Sequence, residues 1–412
     1  MTVKLFPHQE DAVRFLLSKR RAILADQPRV GKTLPTAVAA LEHTPVLVIC
    51  PAIVKTVWRD AIGLVNPDAT VLVVNGKKGA ESITKHDVVI INYDLLPYMN
   101  ERLFPKFQTL VLDECHRIKS HTAKRTKVAM KAMAAISRVY ALSGTIVPNR
   151  PAELWPILNG LGIYRNGWHD FVYRYCNAWN PPWGGIDVSG ASNLPELKAM
   201  VRPHLLRRTK ADVFNAYQQP QVSLITFDLP VDKREQDFDA DVLVANPDAL
   251  MNFEGLSEIM REAGMRKVKP SIEFIEDLLN GEEKLVVFAH HKDVVKELEA
   301  GLKKYKPVTV TGETPRSKRD SNITKFQSGD SRVIIGNAQS MGEGVDLSTA
   351  DTIVFVETTW QTSALEQASS RVENISKSGT TPLIYLLTTR ASLDHNVLKK
   401  LLHKQSIIAQ II

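Results

Sequence analysis

The feature that most constrains this chain is a recurring rhythm of short apolar runs. In the first third they fall at residues 22–25, 46–50, 71–74, 88–92, 109–112 and 139–143, with amphipathic segments between them. A run with no polar alternation suits a strand covered on both faces, and strands separated by helical patterns favour a parallel sheet. The rhythm returns at 285–288, 308–310, 332–336, 352–356 and 383–387. Two α/β lobes are the simplest reading, and 412 residues exceed what one typical core supports. The middle is different. It carries helical patterns such as 194–201 and 247–263, and the Pro- and Gly-rich stretch 180–185 reads as a loop. The expected division is a first lobe over 1–148, mainly helical insertions and a linker over 149–270, and a second lobe over 271–412.

Composition narrows the class. Charged residues make up 24% and hydrophobic residues 44%, as in ordinary globular proteins rather than disordered ones. The net charge of +7 suits a polyanionic partner without requiring one. Cys50, Cys115 and Cys176 lie far apart, so neither a zinc site nor a disulfide framework is expected. No apolar run is long enough to cross a bilayer, and residues 1–9 hold no secretory signal, which points to a cytoplasmic protein with no membrane partner.

The chemistry concentrates at two places. Asp26-Gln27-Pro28-Arg29-Val30-Gly31-Lys32-Thr33 follows the apolar run 22–25 and opens a helical pattern over 36–41. A strand, a tight loop and a helix start together form an anion site from backbone N–H groups and the helix dipole. Gly31 lets the backbone approach phosphate, Lys32 can reach the outer phosphates, and Thr33 can hold Mg²⁺. A Gly-Lys-Thr tripeptide by itself is common, and the strand-to-helix context is what gives it weight. Asp113-Glu114-Cys115-His116 follows the run 109–112. A carboxylate at a strand end can hold Mg²⁺, and Glu114 can polarise an attacking water.

With these residues in order, the chain resembles the superfamily 2 helicases, and within them the SNF2-type translocases. Phe6-Pro7-His8-Gln9 is similar to the adenine-reading element, with Gln9 as reader. Residues 26–33 resemble motif I, which also begins with Asp, and 113–116 resemble motif II. Leu142-Ser143-Gly144-Thr145, with Asn149 and Glu153-Leu154-Trp155, is similar to motif III and its extension. Residues 341–346 with Ala350-Asp351 resemble motif V, and 367–371 the start of motif VI. The middle, with Leu206-Arg207-Arg208 and Lys210-Ala211-Asp212-Val213, looks like the annealing-helicase branch that rewinds strands and remodels forks. Its compact build suggests a bacterial or viral member.

The resemblance implies two RecA-like parallel-sheet lobes with helical insertions between them, and ATP and Mg²⁺ as ligands. It implies nucleotide contacts from Gln9, Asp26, Val30, Gly31, Lys32 and Thr33, completed from the second lobe by Gly344, Asp346 and Arg371. Thr33 and Asp113 become the Mg²⁺ ligands, and Lys32, Asp113, Glu114 and Arg371 the catalytic set. The partner is DNA, whether duplex, forked or branched. Arg207 and Arg208, placed at the hinge by the resemblance, and Lys119 and Arg316, from basic clusters at 119–131 and 316–325, are candidate DNA contacts. Each cluster reads equally well as a solvated helix face. Trp58, Trp155, Trp168 and Trp360 could stack on bases, though core packing is the commoner use of Trp beside apolar runs. Two positions depart from the family: Arg29 stands where Gly is usual, and Asn374 stands where motif VI has a second arginine. Arg371 could supply the catalytic charge alone, or Lys377 could stand in for the missing arginine as a point charge rather than a planar fork. The activities this leaves open are DNA translocation with annealing, strand separation, and ATP and DNA binding with little turnover.

Overall fold

A computed structural model describes residues 3–77, 86–144, 150–182, 184–214, 220–240, 255–282, 284–341, 346–357 and 381–409. The chain divides into two compact units, the first Met1–Val213 with Ile407–Ile412 and the second Phe214–Ser406.

The first unit is built on seven parallel strands: β1 (Arg21–Leu24), β2 (Val46–Cys50), β3 (Val71–Val73), β4 (Val88–Asn92), β5 (Thr109–Asp113), β6 (Arg138–Leu142) and β7 (Leu205–Leu206). Their order is β3-β4-β2-β5-β6-β1-β7. Alternate residues of each strand feed two cores. Ile23, Leu47, Ile49, Leu110 and Ala141 face one side, and Leu24, Val46, Val48, Val111 and Leu142 face the other. Helices α1 (Pro7–Ser18), α2 (Thr33–Leu41) and α3 (Lys55–Val65) cover the second side through Leu16, Ala37, Trp58 and Ile62. Helix α4 (Lys124–Ala135) and helices over Trp155–Gly160, Trp168–Tyr175 and Leu194–Val201 cover the first through Met133, Ile157, Phe171 and Leu197. Each wholly buried aliphatic side chain contributes roughly 1.5–3 kcal/mol, so covering both faces is what makes the parallel sheet stable. Arg21 ties the helix ends together by donating to the carbonyls of Met133, Ile136 and Gly160, groups that α-helices leave unpaired at their C-termini.

The second unit has six parallel strands: β8 (Gln221–Phe227), β9 (Leu285–Phe288), β10 (Val308–Val310), β11 (Val333–Gly336), β12 (Thr352–Phe355) and β13 (Leu383–Thr389), in the order β10-β11-β9-β12-β13-β8. Its two faces again feed separate cores, Val286, Phe288 and Phe355 on one side and Val287, Ile335 and Val354 on the other. Helix Leu256–Leu279 packs on the latter through Ile275 and Leu279. One ion pair is deeply buried here: Lys267 and Asp394 are each 3% exposed.

The expected fold class holds: two parallel sheets, each with helices on both faces. Every apolar run predicted as a strand is one, to within a residue or two at its ends. The middle carries helices and also contributes one strand to each sheet, β7 to the first and β8 to the second. Its residues fall on both sides of the division at Val213 and Phe214. The helix read at 247–263 is observed as Leu256–Leu279, and its earlier residues lie outside the described ones. Among the described residues no helix is long and apolar enough to cross a membrane.

Candidate nucleotide-binding site

Parallel strands place all their C-terminal ends on one edge of a sheet, and ligands of open α/β sheets bind at that edge. In the first unit this edge carries the loop after β1, the Asp113-Glu114 turn after β5, and Ser143-Gly144 after β6, the strand between them.

The loop is shaped by two residues in the left-handed region, Arg29 at φ 69° and Gly31 at φ 92°. A Cβ at position 31 would sit 2.7 Å from Gln9 Nε2, so a side chain there would push the Gln9 amide off the loop. That contact comes from α1: Gln9 Nε2 donates to the Gly31 carbonyl at 3.3 Å, and its Oε1 accepts from the Phe6 amide at 3.0 Å. His8 Nε2 lies 3.0 Å from the Val30 carbonyl. Lys32 caps the start of α2 and folds its side chain back, donating from Nζ to the carbonyls of Asp26 (2.7 Å) and Gln27 (3.3 Å). Thr33 opens α2, where backbone N–H groups point outward. Val30 is buried beneath the loop.

Asp113 is held from two sides. Trp58 Nε1 donates to its Oδ2 at 2.8 Å and the Glu114 amide to its Oδ1 at 3.0 Å, while the Tyr93 hydroxyl donates to its main-chain carbonyl at 2.8 Å. Burial pushes the Asp113 carboxyl up to about 6, with the neighbouring Glu114 adding to the rise and Trp58 and Lys32 opposing it. Glu114 takes a left-handed backbone, φ 51°, a conformation that costs a non-glycine residue roughly 1–3 kcal/mol and clusters at functional sites. Its Oε2 lies 3.3 Å from His116 Nδ1, and that nitrogen is 2.9 Å from Ser143 Oγ. Gly144 closes the circuit, since a Cβ there would meet Pro28 Cδ at 2.7 Å. The loop, the acidic turn and the turn after β6 therefore form one packed assembly. A divalent cation fits it: the Asp113 oxygens are hard ligands, and two adjacent carboxylates present charge a cation neutralises.

The remaining sequence-derived candidates fall elsewhere. Asp26 is 1% exposed and directs its carboxylate at Arg208 rather than along the loop. Arg208, a candidate DNA contact by the resemblance, is held by this pairing with its side chain 14% exposed, and Arg207 Nη1 lies 3.5 Å from the Gly144 carbonyl. Lys119 Nζ is 3.7 Å from the buried Glu153. In the second unit Arg316 begins helix Arg316–Ser328. Asp346 accepts from the Ser348 amide through Oδ1 and from Gln327 through its carbonyl. Gly344, Arg371, Asn374 and Lys377 lie outside the described residues, as do Thr145, Asn149 and Trp360. Of the two uses weighed for Trp58, base stacking and core packing, the structure shows packing. The residue is 1% exposed, and it is also the donor that orients Asp113.

Fold and site define a class: a P-loop type of nucleotide-binding α/β architecture, followed in the chain by a second parallel-sheet unit. Residues 8–272 match the SNF2-related domain and residues 270–376 the helicase conserved C-terminal domain. The chain belongs to the SNF2-related family. It is 31% identical to a SWI/SNF-related matrix-associated actin-dependent regulator of chromatin subfamily A-like protein 1 from Xenopus laevis, over 95% of this chain and 42% of that protein. The Bos taurus protein of that name is also 31% identical, over 95% of this chain and 43% of the relative. The DNA annealing helicase and endonuclease ZRANB3 of Mus musculus is 27% identical, over 94% and 39%. The chain thus spans about two fifths of the length of these relatives.

Proposed function

We propose that the chain is a DNA-dependent ATPase that moves on DNA and uses that movement to anneal strands, migrate branches or remodel forks. The observation that carries this is the joint packing of Lys32, Asp113-Glu114 and His116-Ser143 at one sheet edge. Membership of the SNF2-related family and the likeness to a DNA annealing helicase support it.

In this reading Gln9 reads adenine, and Gly31, Lys32 and the first amides of α2 hold the phosphates. Thr33 and Asp113 hold Mg²⁺, which offsets phosphate charge. Glu114 accepts the proton of the water that attacks the γ-phosphorus as the bond to the leaving ADP oxygen breaks, and His116 steadies Glu114. Asp346, Gly344 and Arg371 keep the nucleotide roles the family pattern gives them, and Lys119, Arg207 and Arg316 those of DNA contacts. A cytoplasmic setting, in a bacterial or phage-infected cell, belongs to the same proposal.

The deciding experiment is phosphate release with and without forked DNA, run beside junction-migration and strand-displacement assays. DNA-stimulated turnover with junction migration supports the proposal. Displacement of strands without migration favours a strand-separating helicase. ATP binding with no turnover under either condition leaves only an ATP- and DNA-binding module.

A further inference from the structure

From Leu206 the chain runs alongside the phosphate loop and is bonded to it at residues 206, 208 and 210. The Ala25 amide donates to the Leu206 carbonyl at 2.7 Å and the Gln27 amide to the Arg208 carbonyl at 2.9 Å. In return the Arg208 amide donates to Asp26 Oδ1 at 2.9 Å and the Lys210 amide to Gln27 Oε1 at 2.8 Å. The Arg208 guanidinium then makes a three-way junction. Its Nε donates to Asp26 Oδ1 at 3.0 Å, its Nη2 to Asp26 Oδ2, and its Nη1 to the main-chain carbonyl of His8. Asp26 is the first residue of the loop and His8 lies in the first turn of α1, next to Gln9. With side chains 14% and 2% exposed, the Arg208–Asp26 pair is shielded from solvent and little screened by salt.

We infer that Arg208 is a positioning residue for the nucleotide. It locks the helix that carries Gln9 to the entry of the phosphate loop and so fixes the spacing between base reader and phosphate cradle. This rests on the nucleotide-binding reading above. Its content is that base preference depends on a residue that touches no nucleotide. A guanidinium spreads its donors over three nitrogens in one plane and so spans both carboxylate oxygens and a third acceptor farther away, whereas a lysine ammonium offers its donors from a single point, so lysine is not an equivalent. A pair that merely stabilised the fold would change the folded fraction and leave the ATP-over-GTP preference of each folded molecule intact. A DNA contact would change DNA affinity and leave nucleotide binding without DNA intact.

The test uses the full chain and the variants Arg208→Lys, Arg208→Gln, Asp26→Asn and Asp26→Asn/Arg208→Gln. The double variant replaces both charges with amides that can still pair, which protects against loss of fold from an unpaired buried charge. Affinities for N-methylanthraniloyl ATP and GTP are measured without DNA, alongside KM and kcat for ATP with DNA and DNA affinity across salt. For Arg208→Lys the expected result is ATP affinity weakened by about tenfold with GTP affinity changed less, and KM raised more than kcat is lowered. The double variant should be less impaired than the two single losses combined, as residues in one network are. Wild-type values of both nucleotide affinities in folded Arg208→Lys or in the double variant overturn the inference, as does a defect confined to DNA affinity. Failure of the wild-type chain to bind ATP overturns the nucleotide-binding reading itself, and the inference with it.

Discussion

Each unit sets a carboxylate at the C-terminal end of a central strand, Asp113 on β5 and Glu357 just after β12, and the two are treated in opposite ways. Glu357 is fully served: its Oε2 accepts from the amides of His290 (2.8 Å) and His291 (2.9 Å), and its Oε1 from His291 Nδ1 (2.6 Å). Burial alone would push its pKa up, but those bonds win and hold the carboxyl below its ordinary value. Asp113 is also buried, yet its neighbour is another carboxylate and its pKa rises to about 6. The buried carboxylate is thus held ionised by its donors in one unit and raised by burial beside a second carboxylate in the other. The raised group suits the Mg²⁺-holding role proposed for Asp113, whereas the bonds of Glu357 fasten elements together.

The comparison can be broken by substitution, and the largest effects belong at the phosphate site. Lys32→Ala should lower DNA-stimulated phosphate release by at least about a hundredfold, the scale of losing one preorganised charge contact, with the thermal midpoint unchanged. Near-normal turnover in that variant would dismiss the site. Next, Asp113→Asn and Glu357→Gln should give opposite phenotypes. The first should abolish turnover while leaving the metal-free protein as stable as before or more so. The second should cost about 1–3 kcal/mol in denaturant unfolding by leaving buried donors poorly paired, with turnover per folded molecule kept. Loss of stability in Asp113→Asn would erase the contrast.

Smaller and more delicate is the response to pH without Mg²⁺. Asp113 binds a proton more readily folded than unfolded, so its ionisation penalises the folded state above about pH 6, and acidification from pH 7 toward 4 relieves that penalty. Glu357 is depressed when folded, so its stabilisation holds at pH 7 and fades only as pH falls below the ordinary carboxylate range. Calorimetry should therefore find the transition of the first unit rising between pH 7 and 5 while that of the second holds. Parallel movement of both would show that Asp113 is not under-neutralised. Last, DNA affinity should fall linearly on a log–log plot against salt, and Arg316→Ala should reduce the slope by about one phosphate contact. An unchanged slope would remove Arg316 from the DNA track.

How much of this was legible beforehand depends on whether the signal was local. The strands were, because burial on both faces demands continuous apolar runs. Strand β8 was not: Gln221–Phe227 interleaves polar residues at the sheet edge, with Val222 53% exposed, and carries no such run. The phosphate loop and the acidic turn were legible, since their chemistry sits in consecutive residues. The partners that orient them were not. Trp58 and Asp113 are 55 positions apart, and His116 and Ser143 are 27 apart, so only folding brings them together. Arg208 shows the opposite hazard. Its sequence context resembled a DNA-contacting hinge, and nothing in the chain announced that Asp26, 182 positions earlier, would claim its charge.

The folded-back Lys32 has a consequence for how fast and how tightly the loop can engage a ligand. A free lysine stem carries roughly 2 kcal/mol of rotamer entropy, which a ligand must ordinarily overcome to immobilise it. Here the ammonium already rests on the carbonyls of Asp26 and Gln27, so that ordering was completed when the chain folded. A phosphate bound there, as the proposed function has it, would meet a charge already stationed on the loop. Binding then becomes an exchange of partners rather than the capture of a moving side chain.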